Sequence, residues 1–116
     1  MRLVSQDGEV DVPYEHGSLC IGFIKGEEHI INTISYYNYS CQIGTKLAEY
    51  SSKAKALKVM EMLRKAYSQF EITKIVACGS SEQISKQLTQ KEAEIVISDF
   101  WEMATFQFPK DEEVEV

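Results

Sequence analysis

The chain has 116 residues, of which 44% are hydrophobic and 26% are charged, and its formal net charge is −6 at pH 7. This composition is typical of one ordinary folded domain and excludes a largely disordered chain. The acidic excess makes nucleic acid a poor candidate partner, because phosphate binding depends on lysine and arginine releasing counterions.

Two β-hairpins are predicted in the first third of the chain. The first closes at Asp7-Gly8, a dipeptide that favours a type I′ turn, and Pro13 ends its second strand. The second hairpin joins the apolar residues 19–24 to the β-branched residues 30–34 through the turn-like residues 25–28.

The segment that follows contains a tyrosine cluster and a further strand. Tyr36, Tyr37 and Tyr39 either extend the strand of residues 30–34 or lie in a loop. Residues 43–50 then predict another strand, which leads into a helix.

Residues 52–68 predict an amphipathic helix. Ser51 or Ser52 supplies an N-cap oxygen, and one apolar stripe recurs at intervals of three and four residues, namely Ala56, Val59, Met60, Leu63 and Tyr67. Because an isolated helix of this length is marginal in water, we expect the stripe to pack on a sheet.

The last third of the chain predicts shorter elements. Residues 72–78 read as a strand ending at Gly79, and Ser80 or Ser81 caps a second, shorter helix that runs to about Lys91. Residues 95–97 and 103–108 are also strand candidates, and we expect the acidic residues beyond Pro109 to be loose.

Together these elements predict an α+β fold, in which an antiparallel or mixed sheet packs on one main amphipathic helix, with a second short helix. We expect residues 1–109 to form a single domain and residues 110–116 an acidic C-terminal tail. A doubly wound nucleotide-binding sheet is disfavoured, because strands and helices do not alternate regularly and no glycine-rich first turn is present.

The residues that could carry catalysis do not form a recognisable motif. His16 and His29 are the only imidazole bases, and no flanking signature links either to Cys20 or Cys41 as a nucleophile. The cysteines are not grouped in pairs, as structural zinc usually requires. We therefore predict a protein that is not an enzyme and that uses no metal or other cofactor.

The location follows from the same cysteines and from the apolar runs. Widely spaced cysteines without a C-x-x-C pair are typical of reduced thiols in a cytosol. No run approaches the roughly 20 apolar residues that cross a bilayer, and no apolar signal region follows Met1. We expect a cytoplasmic protein without a membrane partner.

Three groups of residues are candidates for binding a partner or ligand. Aromatic rings supply much of the binding energy at interfaces, basic residues on a helix can contact phosphate, and an acidic tail can contact a host or phage protein. These candidates are Tyr36, Tyr37, Tyr39 and Trp101, then Lys53, Lys55 and Arg64, and finally Asp111, Glu112 and Glu113. Core packing for the rings and solvated surfaces for the charges are the structural alternatives.

Three segments of the sequence, residues 1–15, residues 48–64 with Tyr67, and residues 106–116, carry a resemblance to a known group. They begin MRLVSQDG, contain EYSS and MEMLR, and end FQFPKDEEVEV. The chain resembles small proteins of phages, prophages and mobile elements of Gram-positive bacteria. Lys53 and Ala54 stand where that group is expected to have acidic residues. The resemblance implies a bacterial host cell and an accessory role.

Phage accessory proteins of this size often occupy a host protein or sequester a small signalling molecule, and this is an argument by analogy. We therefore predict a non-enzymatic protein that binds a host or phage protein, for example in counter-defence. The alternative is an oligomer that binds a nucleotide-like signal between basic residues and stacked rings. Nucleic-acid binding is the least favoured hypothesis.

Overall fold

The computed structural model describes residues 1–38, 44–79, 100 and 102–116. In this part of the chain six strands form two three-stranded sheets beside one long helix. The strands are β1 (Arg2–Val4), β2 (Asp11–Pro13), β3 (Gly17–Lys25), β4 (Ile30–Asn38), β5 (Thr45–Tyr50) and β6 (Thr105–Gln107), and the helix is α1 (Lys53–Gly79). Two 3-10 turns follow β2 and β6, at Tyr14–His16 and Asp111–Glu113. The predicted α+β class is confirmed.

The smaller sheet is mixed, with strand order β2-β1-β6. β1 pairs antiparallel with β2 and parallel with β6, so that Leu3 lies opposite both Val12 and Phe106. The predicted first hairpin is therefore present, and β2 ends at Pro13 as expected.

The turn of this first hairpin is not the predicted type I′. The loop is longer than two residues, since the Ser5 amide donates to the Val10 carbonyl at 2.9 Å. Only Gly8 has a positive φ, of 77°, whereas a type I′ turn needs two such residues. The Asp7 side chain instead accepts hydrogen bonds from the Ser5 hydroxyl and from the Glu9 amide, and these bonds fix the longer loop.

The larger sheet is antiparallel, with strand order β3-β4-β5. The predicted second hairpin is present, and its turn is closed by a 2.9 Å hydrogen bond from the Gly26 amide to the His29 carbonyl. β4 runs as far as Asn38, so of the two alternatives left by the sequence Tyr36 and Tyr37 extend the strand. A bulge between β4 and β5 at Ile34/Ser35 interrupts the regular register.

The helix begins where the sequence predicts and ends later. It starts at Lys53, and the Ser52 hydroxyl accepts a hydrogen bond from the Lys55 amide at 3.2 Å, which identifies the N-cap. The strand predicted at residues 72–78 is wrong, because this segment is helical up to Gly79. Phe70, buried and three residues beyond Tyr67, shows that the helical period of the apolar stripe runs past residue 68. The β-branched residues that follow carry only a weak preference for strands.

The core lies between α1, the antiparallel sheet and the C-terminal segment. Its least exposed large side chains include residues from both sheets and the helix: Leu3, Ile34, Leu47, Tyr50, Val59, Leu63 and Phe108. Packing of the helix on the antiparallel sheet agrees with the predicted role of the apolar stripe.

The C-terminal segment corrects the expectation of a loose tail. Val114 is 5% exposed and belongs to the core, and the Pro109 carbonyl accepts hydrogen bonds from the Tyr50 hydroxyl at 2.7 Å and from the Gln6 side chain at 2.9 Å. The predicted second helix and the strand predicted at residues 95–97 lie outside the described residues. Of the helices in the described ranges, none combines the length and apolar character needed to cross a membrane.

Candidate functional site

The outer edge of β3 is the longest strand edge that no described strand covers. β3 has nine residues and pairs with β4 along its whole length, from Gly17 opposite Asn38 to Lys25 opposite Ile30. Among the described strands it stands at the end of the order β3-β4-β5. In an antiparallel pair every second residue turns its backbone N–H and C=O away from the partner, so this edge presents hydrogen-bonding groups that no other described strand pairs with.

The far end of the same hairpin is apolar and exposed. Phe23 is 71% exposed, and Ile24 and Ile30 are each 51% exposed. The alternation of strand side chains places Phe23 and Ile30 on the same face as Leu19 and Ile21, with Ile24 on the opposite face. We call Phe23, Ile24 and Ile30 the hairpin tip.

The near end of β3 borders a cavity of about 400 Å³. Its walls come from the Tyr14–His16 turn, the start of β3 and the middle of α1: Tyr14, Glu15, Gly17, Ser18, Leu19, Met60, Leu63 and Arg64. The cavity thus has apolar walls from Leu19, Met60 and Leu63 and a charged rim at Glu15 and Arg64. The Tyr14 ring packs against the Tyr67 ring, with 4.4 Å between the two ring centroids.

The two charged side chains at the cavity rim differ in their bonding partners. Glu15 accepts an ion-paired hydrogen bond at 2.6 Å from the amino group of Met1. Partial burial is the largest single effect and raises the pKa of Glu15, but the hydrogen bonds from that ammonium and from the Glu15 backbone, with the nearby positive charges, together leave the pKa below its ordinary value. Arg64 makes no hydrogen bond or ion pair within 4 Å to any residue in the described ranges, although its charge helps to lower the pKa of Glu61. Its guanidinium can therefore still donate hydrogen bonds to a carboxylate.

The predicted tyrosines lie in different environments. Tyr36 is 4% exposed, belongs to the core and donates its hydroxyl to the Pro13 carbonyl at 2.8 Å. Tyr37 is partly exposed and its ring lies against Gly44, where a Cβ atom would come within 2.4 Å of that ring. Tyr39 and Trp101 lie outside the described residues. The tyrosines described here thus do not form one surface.

The predicted basic and acidic residues meet in one place, at the start of α1. The Asp111 carboxylate accepts hydrogen bonds from the Ser51 amide at 2.8 Å and from the Ser51 hydroxyl at 3.0 Å, and its other oxygen lies 3.4 Å from the Lys55 ammonium. Hydrogen bonding to the Ser51 backbone, ahead of the hydroxyl and Lys55, keeps the pKa of Asp111 below its ordinary value. Lys53, Glu112 and Glu113 are exposed around this contact.

This cluster fastens the C-terminal segment to the helix. Lys55 also donates to the Asp111 backbone carbonyl at 2.9 Å, so that the ammonium holds two atoms of one residue. Arg64 lies farther along the helix, at the cavity beside β3. Neither Lys53 nor Lys55 lines that cavity.

Sequence reasoning selected Arg64 at the cavity rim but not the hairpin tip or the other cavity walls. The signal at the tip was present, since the run Leu19 to Ile24 is apolar at nearly every position, whereas a strand with one solvated face alternates. The cavity depends on Tyr14 and Met60 meeting across the fold, and no local pattern encodes that contact.

This surface offers groups that can form noncovalent contacts. Within the described ranges no three side chains of the histidine, cysteine and acidic types come together as a metal site. β3 supplies backbone groups and apolar side chains, and α1 supplies one guanidinium. Comparison with known proteins found no matching family model, curated protein or solved structure.

Proposed function

We propose that this chain is a non-enzymatic protein that acts by binding another protein through the hairpin tip and the adjoining face of β3. The observation that carries the proposal is the exposure of Phe23, Ile24 and Ile30 at one end of one hairpin. Isolated exposed apolar residues are ordinary on protein surfaces, whereas Phe23 and Ile30 lie on one face of the hairpin end, with Ile24 on the opposite face. An exposed aromatic ring beside an exposed aliphatic side chain is characteristic of an interface.

The position of the tip supports the same role. The β3–β4 hairpin holds its end residues in a regular register, with Ile24 opposite Ile31 and Phe23 opposite Asn32. Residues held in a paired strand lose little further conformational freedom on binding, so more of the energy of contact appears as affinity. The core side chains that stabilise the fold lie elsewhere, chiefly in β4, β5 and α1.

The kind of partner is proposed from the resemblance described above. A small phage or mobile-element protein of a Gram-positive bacterium commonly acts on a host or phage protein, and counter-defence is one such role. The partner is expected to present a complementary apolar surface to Phe23, since the tip carries no charged side chain of its own among its three residues.

The test is capture of a partner from a Gram-positive host lysate by the folded full-length chain. We expect one stoichiometric partner with the natural sequence and loss of that partner with Phe23→Ser. Leu57→Ser is the matched control, because Leu57 is an exposed apolar residue, 50% accessible, on α1. Absence of a stoichiometric partner with folded bait, or equal capture by Phe23→Ser, would contradict the proposal.

The cavity favours one second candidate, binding of a small nucleotide-like signal by an oligomer. Tyr14 offers a ring and Arg64 a cation at a volume of about 400 Å³, which lies within the range of ligand sites. Lys53 and Lys55 do not line this cavity. Native mass spectrometry of protein purified from its host is the test: a carried ligand that is lost in Arg64→Gln supports this candidate, and an empty protein contradicts it.

A further inference from the structure

The two long edges of the antiparallel sheet differ in how they are closed. The outer edge of β5 is occupied by Gln6, whose backbone amide donates to the Leu47 carbonyl at 2.9 Å. The Gln6 side chain then pairs with the Glu49 backbone, donating to its carbonyl at 3.0 Å and accepting from its amide at 2.8 Å. A side-chain amide here takes the place of a neighbouring strand.

The opposite edge, β3, has no comparable closure by the described residues. Its nine residues contain one charged side chain, Lys25 at the end, and no proline. Natural edge strands are usually protected by inward charges, prolines or bulges, because an unprotected edge pairs with other chains. The register of β3 with β4 is unbroken over its length, so the edge is regular enough to accept another strand.

We propose that an extended segment of the partner protein adds to the outer edge of β3 as a further strand, places one apolar side chain in the cavity beside α1 and sets a carboxylate against Arg64. This inference rests on the proposed protein-binding function and specifies how the partner is held. In strand addition the backbone supplies affinity, and pockets for alternate side chains supply specificity.

The dimensions agree with this mode of binding. At about 3.3 Å per residue, β3 extends roughly 26 Å from the cavity to the hairpin tip. Leu19, Ile21 and Phe23 lie on one face of the strand, the face that meets α1 at the cavity. A partner strand of seven to nine residues, by this spacing, would place its alternate side chains against these three positions.

The Arg64 charge at the cavity indicates which kind of side chain the partner segment carries there. Glu15 is already paired with the Met1 amino group, whereas Arg64 is unpaired within the described ranges. Arg64 is exposed at the cavity rim, where a carboxylate on the entering segment would gain a charge-assisted hydrogen bond. The expected segment therefore alternates apolar residues and carries one Asp or Glu near its cavity end.

The experiment is selection of a random nine-residue peptide display library on the folded full-length chain. We expect enriched peptides with apolar residues at alternate positions and one acidic residue. Their affinity should fall at least about tenfold on N-methylation at alternate backbone positions and stay unchanged at the intervening ones, because only every second N–H faces the neighbouring strand.

Variants of the chain supply the second measurement. Arg64→Gln should weaken the selected peptides about 1.5- to fivefold, as expected for the loss of one exposed charge pair. Lys58→Gln, which removes a charge from an exposed position of the same helix, should leave their affinity unchanged. Selected peptides that tolerate N-methylation at every position would overturn the inference.

Two further outcomes distinguish the inference from the proposed function. If no peptide is enriched although a lysate partner is captured in a Phe23-dependent way, strand addition is wrong and the proposed function stands. If light scattering shows a dimer of this chain that Phe23→Ser dissociates, and peptides do not bind, a second copy occupies the edge and the inference is overturned.

Discussion

The side-chain amide of Gln6 pairs with the backbone of Glu49 in the manner of a strand neighbour, with distances of 2.8 Å and 3.0 Å. The same Nε2 also donates to the Pro109 carbonyl at 2.9 Å. One side chain thus joins the first loop, β5 and the C-terminal segment, three regions far apart in the sequence.

Replacing Gln6 by Ala is expected to destabilise the fold by about 1–3 kcal/mol, because partly buried backbone groups of Glu49 lose their partners. Chemical denaturation measures this change in the free energy of unfolding. Gln69→Ala, at an exposed position of α1, is the control and should change stability by less than about 0.5 kcal/mol. Equal midpoints for the two variants would show that the Gln6 contacts do not stabilise the fold.

Leu63→Ala should cost about 2–5 kcal/mol, since Leu63 is 1% exposed in the core and its removal leaves a void. Its neighbour Met62 is 39% exposed on the same helix, and Met62→Ala should change stability by about 0.5 kcal/mol or less. Thermal unfolding of both variants compares a position on the packed stripe with one beside it. A small loss for Leu63→Ala would mean that the helix is not held by this stripe.

Asp111→Asn should weaken the link between the C-terminal segment and α1 in a pH-dependent way. The folded pKa of Asp111 is lowered, so its stabilisation is present above the ordinary value of 3.8 and is lost as the pH falls through the folded pKa. At neutral pH the expected loss is below about 1 kcal/mol, because the side chain is 38% exposed and solvent screens the charge.

The measurement is the difference in unfolding free energy between the natural chain and Asp111→Asn from pH 7 downwards. We expect this difference to shrink as the pH falls below about 4. Glu112→Gln removes the same charge from an exposed neighbour in the same 3-10 turn and serves as the control. A difference that grows in acid would contradict the assigned role of Asp111.

Val114→Asp should release the C-terminal segment. Val114 is 5% exposed in the core, and losing its burial costs about 1.5–3 kcal/mol, with a further cost if the carboxylate stays buried. Val116→Asp makes the same substitution at a residue that is 80% exposed and should be nearly neutral. Faster carboxypeptidase digestion of Val114→Asp, but not of Val116→Asp, is the expected result. Equal digestion would show that Val114 does not anchor the segment.

The sequence predicts the elements that depend on local patterns. The Ser52 cap, the apolar stripe from Ala56 to Tyr67 and the second hairpin all follow from neighbouring residues, and the structure contains each of them. The prediction at residues 72–78 is wrong because β-branched residues favour strands only weakly, and the buried Phe70 shows that the helical period already runs past residue 68.

The features that depend on distant contacts were not predictable in this way. The docking of Val114 and the pairing of Asp111 with Ser51 need the end of the chain to meet the start of the helix. The cavity at Arg64 likewise requires the turn after β2 to face the middle of α1. Exposure of Phe23 is also a tertiary property, because the same ring in a strand could equally have been covered by the helix.

The parallel pairing of β1 with β6 has a consequence for how the protein folds. Leu3 lies opposite Phe106, so the smaller sheet joins segments separated by nearly the whole chain. The hairpin of β3 and β4 and the helix can form from local contacts, but this pairing must wait until residues 105–107 have been synthesised. We therefore expect the closing of the mixed sheet to be a late and slow step, after the larger sheet and α1 have formed.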